Sequence, residues 1–206
     1  MSDLDIILEK TERSFGRRQI QAGHALMIVM SRSFRHPIGE VWSAVTDPDR
    51  LGEWLGRPEG DLRRGGEYTL HGGMRGGLPN GSGGTILRCD APRLLTLSWE
   101  REGTTTAEVE FHLAAEDSHT RIELLYASAR KGFAVRAAPG GGVWTGGAGW
   151  EYFLDCLEEY LDGNLPEVPV ALMPEIEVEG ELALLFEARN DRWRRTAEEF
   201  DQEHAL

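Results

Sequence analysis

Residues 34–56, FRHPIGEVWSAVTDPDRLGEWLG, constrain the fold more than any other part of the chain. Ile38, Val41, Trp42 and Val45 recur at helical spacing and form one apolar stripe. Pro37 suits the first position of that helix, where a missing N–H leaves nothing unpaired. Asp47-Pro48-Asp49 then ends it and starts a second helix, with Asp47 as N-cap, Pro48 as the first helical residue and Asp49 at the positive end of the dipole. Leu51, Trp54 and Leu55 give this second helix its buried face. Helices this short do not persist alone in water, so both must rest on a larger framework.

The flanking sequence supplies that framework. Residues 25–34, ALMIVMSRSF, read as a first long strand; residues 1–23 are mixed, and LDIILEKTERSF, 4–15, reads as a short helix or an edge strand. After residue 56 the period switches to two. Tyr68 and Leu70 share one face of a strand, as do Leu95, Leu97 and Trp99, then Val109, Phe111 and Leu113, then Ile122, Leu124 and Tyr126. Turn signals between these runs indicate an antiparallel meander. Trp150, Phe153, Leu154, Leu157 and Leu161 return to helical spacing, with Glu151, Asp155, Glu158 and Asp162 pointing away and Gly163 as C-cap. The helix is expected over 147–162. Beyond it, 165–180 is a proline-punctuated extended segment, and 181–200 is an amphipathic helix carrying Leu182, Leu185, Phe186, Trp193 and Phe200 roughly on one side.

Composition excludes several classes of function. The chain has 206 residues and a net charge of −13, which disfavours nucleic acid and anionic membrane surfaces as partners. No segment has the run of apolar residues that a membrane span needs. Two cysteines, Cys89 and Cys156, do not make a disulfide scaffold. The N-terminal segment carries acids before its apolar residues and has no small-residue cleavage site, so a secretory signal is not expected and a cytoplasmic location is. The six histidines show no metal-ligand spacing, and no cofactor is expected. PGGGVWTGGAGW, 139–150, lacks the Lys-Ser/Thr of a phosphate loop. It reads as a mobile gate or simply a long loop, with Trp144 as the candidate lid residue.

Strand, two short helices, meander and long helix follow one another in the order of the α+β helix-grip fold, a curved antiparallel sheet wrapped around a long helix. HPIGEVWSAVTDPDRLGEWLG, GDLRRGGEYTL, GTILRCDAPRLLTLSWE and GWEYFLDCLEEYLDG resemble the bacterial proteins related to the C-terminal domain of the activator of heat-shock-protein-90 ATPase, within the SRPBCC (START-like) superfamily. The resemblance covers residues 17–163. It leaves 1–16 as an N-terminal segment and 164–206 as an extension that either clamps its own domain or reaches across a homodimer. It implies that the two short helices hold the long helix off the sheet, leaving a cavity for a small apolar molecule. Tyr68, Leu70, Leu97, Trp99, Phe111, Tyr126, Trp150, Phe153 and Leu157 are the candidate ligand-binding residues, and no catalytic residue is assigned. The alternatives are a cyclase- or hydrolase-type enzyme using a cavity tyrosine or acid, and a chaperone-associated interaction module.

Overall fold

The alternating apolar runs fold into strands of a single sheet in the computed structural model, which describes residues 3–72, 82–101, 104–129, 146–164 and 180–204. The chain begins with α1 (Asp3–Glu9), β1 (Glu12–Ile20) and β2 (Gly23–Phe34), followed by the short helices α2 (Ile38–Thr46) and α3 (Pro48–Trp54). Next come β3 (Gly56–Gly60), β4 (Glu67–Gly72), β5 (Ser82–Asp90), β6 (Leu94–Arg101), β7 (Thr104–Glu116) and β8 (His119–Ser128). The chain ends with α4 (Gly146–Leu161) and α5 (Gly180–Glu203). The sheet order is β1-β2-β8-β7-β6-β5-β4-β3, antiparallel throughout. This is the expected helix-grip architecture. Residues 165–179 of the extended stretch and 139–145 of the gate, Trp144 among them, lie outside the described residues, whereas 146–150 belong to α4 and Gly180 opens α5.

Both alternatives for the N-terminal region are present in series: a helix of about two turns, then an edge strand paired along β2 from Glu12↔Ser31 to Ile20↔Gly23. At the opposite edge lies β3, which the residue pattern did not announce. GRPEG has no apolar alternation, and Pro58 is tolerated because an edge strand need not donate on both sides. The register slips between Ile86 and Arg88 of β5 and between Trp99 and Glu100 of β6. Such bulges add local twist and bend a sheet around what it covers.

The two short helices follow from their caps. The Asp47 side chain accepts from the backbone N–H groups of Asp49 and Arg50, each at 3.0 Å, with Pro48 at the first position of α3. Pro37 sits one residue earlier than expected. Its ψ of 148° is extended, so it is the N-cap of α2, and its carbonyl accepts from Glu40 and Val41 at 2.9 and 3.2 Å. Val41, Ala44 and Val45 are buried, and Trp54 donates from Nε1 to the Ala44 carbonyl at 2.9 Å, fastening α3 to α2.

Helix α4 corrects one expectation. Trp150, Phe153, Leu154 and Leu157 face the sheet, but Glu151, expected in solvent, is fully buried. The reason is that α5 packs on the second face of α4 and Arg13 reaches that face from β1. Arg13 of β1 binds Glu151 through two hydrogen bonds of 2.8 and 2.7 Å, and Trp193 of α5 donates to the same carboxylate at 2.6 Å. Arg189, also fully buried, places Nε 3.1 Å from Glu151 and donates to Asp155 at 2.6 Å, while Arg32 of β2 donates to Asp155 at 2.7 Å. Gly147 makes the approach of α5 feasible, since a Cβ there would lie 2.4 Å from the Trp193 ring. Phe186 and Trp193 are buried, and Trp193 meets Phe15 edge-on at 5.5 Å. Leu182, Leu185 and Phe200 stay partly exposed. Helix α5 thus packs against α4 and β1 of the same chain. No helix among the described residues is long and apolar enough to cross a membrane.

Candidate functional site

The short helices and the β3–β4 turn stand over one end of the sheet, and a hollow of about 360 Å³ remains between them, the strands and α4. Its floor is Tyr68 and Leu70 of β4, Ile86 of β5 and Leu95, Leu97 and Trp99 of β6, extended by Phe111 of β7. Val45, Thr46, Leu51 and Leu55 descend from the short helices, and Trp150 closes the side against α4. The rim is built from Pro58, Leu62, Arg63, Arg64 and Cys89.

Six of the nine residues singled out from the sequence line this space: Tyr68, Leu70, Leu97, Trp99, Phe111 and Trp150. Tyr126, Phe153 and Leu157 are buried but lie off it. Trp150 is the divider. Its ring meets Trp99 at 5.4 Å, Phe111 at 6.3 Å, Tyr126 at 5.7 Å and Phe153 at 5.6 Å. These edge-on and tilted contacts fill the space beside β7 and β8 and leave the opening under α3. Alternation placed the strand residues on the inner face, but the position of the hollow along α4 depends on how one indole packs. Leu51 and Leu55 were legible as a buried helix face and not as cavity wall.

The rim depends on a short run of sequence, Asp61-Leu62-Arg63-Arg64-Gly65-Gly66. Gly65 donates to the Ile86 carbonyl at 2.7 Å, and Ile86 donates back to Gly66 at 3.0 Å, so the turn is stitched to β5 beside its bulge. A Cβ on Gly66 would sit 1.9 Å from the Asp61 carbonyl oxygen, so the turn closes only with glycine there. Arg63 Nε lies 2.8 and 2.9 Å from the two Asp61 carboxylate oxygens, and this pairing raises the affinity of the Arg63 guanidinium for its proton. Leu62 is 42 % exposed, a large apolar side chain left at the opening. In the sequence this run stood only within GDLRRGGEYTL, and nothing there placed it beside a hollow.

Chemically, the walls offer apolar shelter and few reactive groups. The Tyr68 hydroxyl donates to the Ser98 carbonyl at 2.8 Å, while Ser98 Oγ accepts from the Thr85 N–H at 2.7 Å. The phenol is therefore anchored to the next strands and presents its ring to the hollow. No His, Asp or Glu lines the space among the described residues. Among the same residues, no three His, Cys, Asp or Glu side chains are grouped so as to hold a metal. Cys89 is exposed on the rim, whereas Cys156 is buried in α4, where burial pushes its thiol up to about 12.

Comparison with known proteins places this geometry. The solution structure of CalU16 from Micromonospora echinospora is 37 % identical, covers 92 % of this chain and 96 % of its own, and superposes with a TM-score of 0.75. The crystal structure of CalU16 matches at 34 % identity over 90 % of this chain and 97 % of its own, with a TM-score of 0.70. The crystal structure of DynU16, a protein in the dynemicin biosynthetic locus, shares the fold alone, at 23 % identity over 68 % of this chain and 48 % of its own, with a TM-score of 0.54. No curated protein matches the sequence. The family described as "Activator of Hsp90 ATPase homolog 1-like protein" matches residues 35–162, which run from the start of the short helices to the end of α4 and so include every wall of the hollow. By that match over most of its length, and by its similarity to CalU16, the chain belongs to the activator of Hsp90 ATPase homolog 1-like family of the SRPBCC superfamily.

Proposed function

We propose that this protein binds a small, largely apolar molecule in the hollow beneath α3. One observation carries the reading: about 360 Å³ of space walled by Leu55, Leu70, Leu97, Trp99, Phe111 and Trp150, with an exposed rim for entry. The space opens to solvent at its rim, and an apolar guest entering it would remove this apolar wall from water. The family and its fold support ligand binding in general. A cyclase- or hydrolase-type role for a tyrosine has less support, because the Tyr68 hydroxyl is held by a backbone carbonyl and Tyr126 lies off the hollow. A chaperone-associated role rests on the family description.

The test is a thermal-shift screen with small apolar compounds on the wild type and on Leu97→Trp, which fills the floor. A ligand present at about 100 times its Kd adds about 2.7 kcal/mol of stability, or roughly 5–10 °C in Tm for a chain of this size. Compounds that stabilise the wild type should leave Leu97→Trp unchanged. A screen without hits, or with hits that stabilise the filled variant equally, would overturn the reading.

A further inference from the structure

The charge around the hollow does not follow the charge of the chain. The sequence has 35 acidic and 22 basic residues. Among the described residues, however, the lining contains no Asp or Glu, and its charged members are the adjacent Arg63 and Arg64. Arg63 is largely matched by Asp61. Arg64 makes no ion pair among the described residues, whereas Arg57 on the neighbouring strand closes on Asp49 at 2.7 Å. The backbone stitching of Gly65 and Gly66 to Ile86 holds the Arg64 Cα at the rim, with apolar wall on one side and solvent on the other. In an acidic molecule whose overall field repels anions, an unmatched guanidinium at the mouth of an apolar hollow gives that mouth a definite preference.

We infer that the guest is amphipathic, an apolar body ending in an anionic group that Arg64, with Arg63 beside it, receives at the rim; this rests on the reading that the hollow holds a guest. The guanidinium fork suits carboxylate, sulfonate and phosphate oxygens alike, so the shared feature is the planar or tetrahedral oxyanion. The apolar body would lie between Trp99, Trp150 and Leu55, and Leu62 would cover the junction between the two halves.

Two fluorescent probes with the same aromatic body test this: 8-anilinonaphthalene-1-sulfonate, and N-phenyl-1-naphthylamine, which lacks the sulfonate. Each is titrated into the wild type, Arg64→Met and Leu97→Trp, after circular dichroism shows that the variants are folded. Arg64→Met keeps the apolar stem and should weaken the sulfonate about two- to fivefold, the upper range for an ion pair at an exposed mouth. It should leave the uncharged amine within about twofold, and added salt should weaken only the sulfonate. If Leu97→Trp abolishes both probes while Arg64→Met leaves their affinity ratio at the wild-type value, the anion preference is overturned and the apolar site stands. If neither probe binds the wild type, or neither responds to Leu97→Trp, the site itself falls and the anion preference with it.

Discussion

Glu151→Ala removes the carboxylate on which the C-terminal helix is docked. Glu151 is fully buried and accepts two hydrogen bonds from Arg13 and one from Trp193, with Arg189 Nε 3.1 Å away. Its loss leaves Arg13 and Arg189 without their shared counter-charge in a space that water does not reach. Orphaning one side of a buried ion pair costs about 3–5 kcal/mol, much of it the desolvation of the charge left behind. For 150–250 residues each kcal/mol is worth about 2–4 °C, so Tm should fall by roughly 6–20 °C. Glu151→Gln keeps an oxygen for the Trp193 indole N–H but no charge for the arginines, so its loss should be intermediate. The control is Asp201→Asn, whose partner Arg17 lies 3.7 Å away at a site where both side chains are more than half exposed. That variant should change stability by about 0.5 kcal/mol or less. Urea and thermal melts followed by circular dichroism measure all three. High salt should leave the Glu151→Ala deficit largely intact, because buried charges are poorly screened. A Glu151→Ala protein within about 1 kcal/mol of wild type would refute the argument that this cluster docks α5.

Three further outcomes follow from particular contacts. Glu110 has its carboxyl lowered to about 2 by the hydrogen bond with His112, against an opposing effect of burial and with help from Arg18. Its contribution to stability is therefore whole above the ordinary 4.5 and is lost as pH falls from there through about 2; Glu110→Gln should flatten that part of the acid limb in urea melts, and an unchanged limb would contradict the assignment. Asp47→Ala removes the acceptor of two backbone N–H groups at the start of α3 and should cost about 1 kcal/mol in the same assay. Iodoacetamide at mildly alkaline pH should give one rapid adduct, located at Cys89 by peptide mass spectrometry, because the Cys156 thiol is buried and pushed up to about 12; rapid modification of both would contradict the packing of α4.

The sheet and the short helices were legible because their signals are local. Period-two runs such as Val109, Phe111 and Leu113 declare an inner face wherever the strand ends up, and Asp47-Pro48-Asp49 closes and opens helices within its own turn. What could not be read were features set by partners distant in sequence. Glu151 occupies a polar position of the α4 pattern, and only the return of α5, bringing Arg189 and Trp193, turns that position into interior. β3 is held as a strand by its pairing with β4, its own residues giving no sign of it. The hollow follows the same rule. Tyr126 and Leu97 have equivalent inward phase, and the packing of Trp150 against Trp99, Phe111 and Tyr126 decides which of them faces empty space. Arg63 and Arg64 come to the rim only because their turn is stitched to Ile86, a partner more than twenty residues away.

The most direct measurement is a methyl NMR titration with N-phenyl-1-naphthylamine. The leucine methyls of Leu55, Leu70 and Leu97 line the hollow, while Leu154 and Leu157 are fully packed on α4 and do not. The account predicts saturable shifts and nuclear Overhauser contacts from the probe to the first three, with the α4 pair unmoved. Contacts confined to exposed residues such as Ile6 and Leu184, with Leu55, Leu70 and Leu97 silent at saturation, would contradict it.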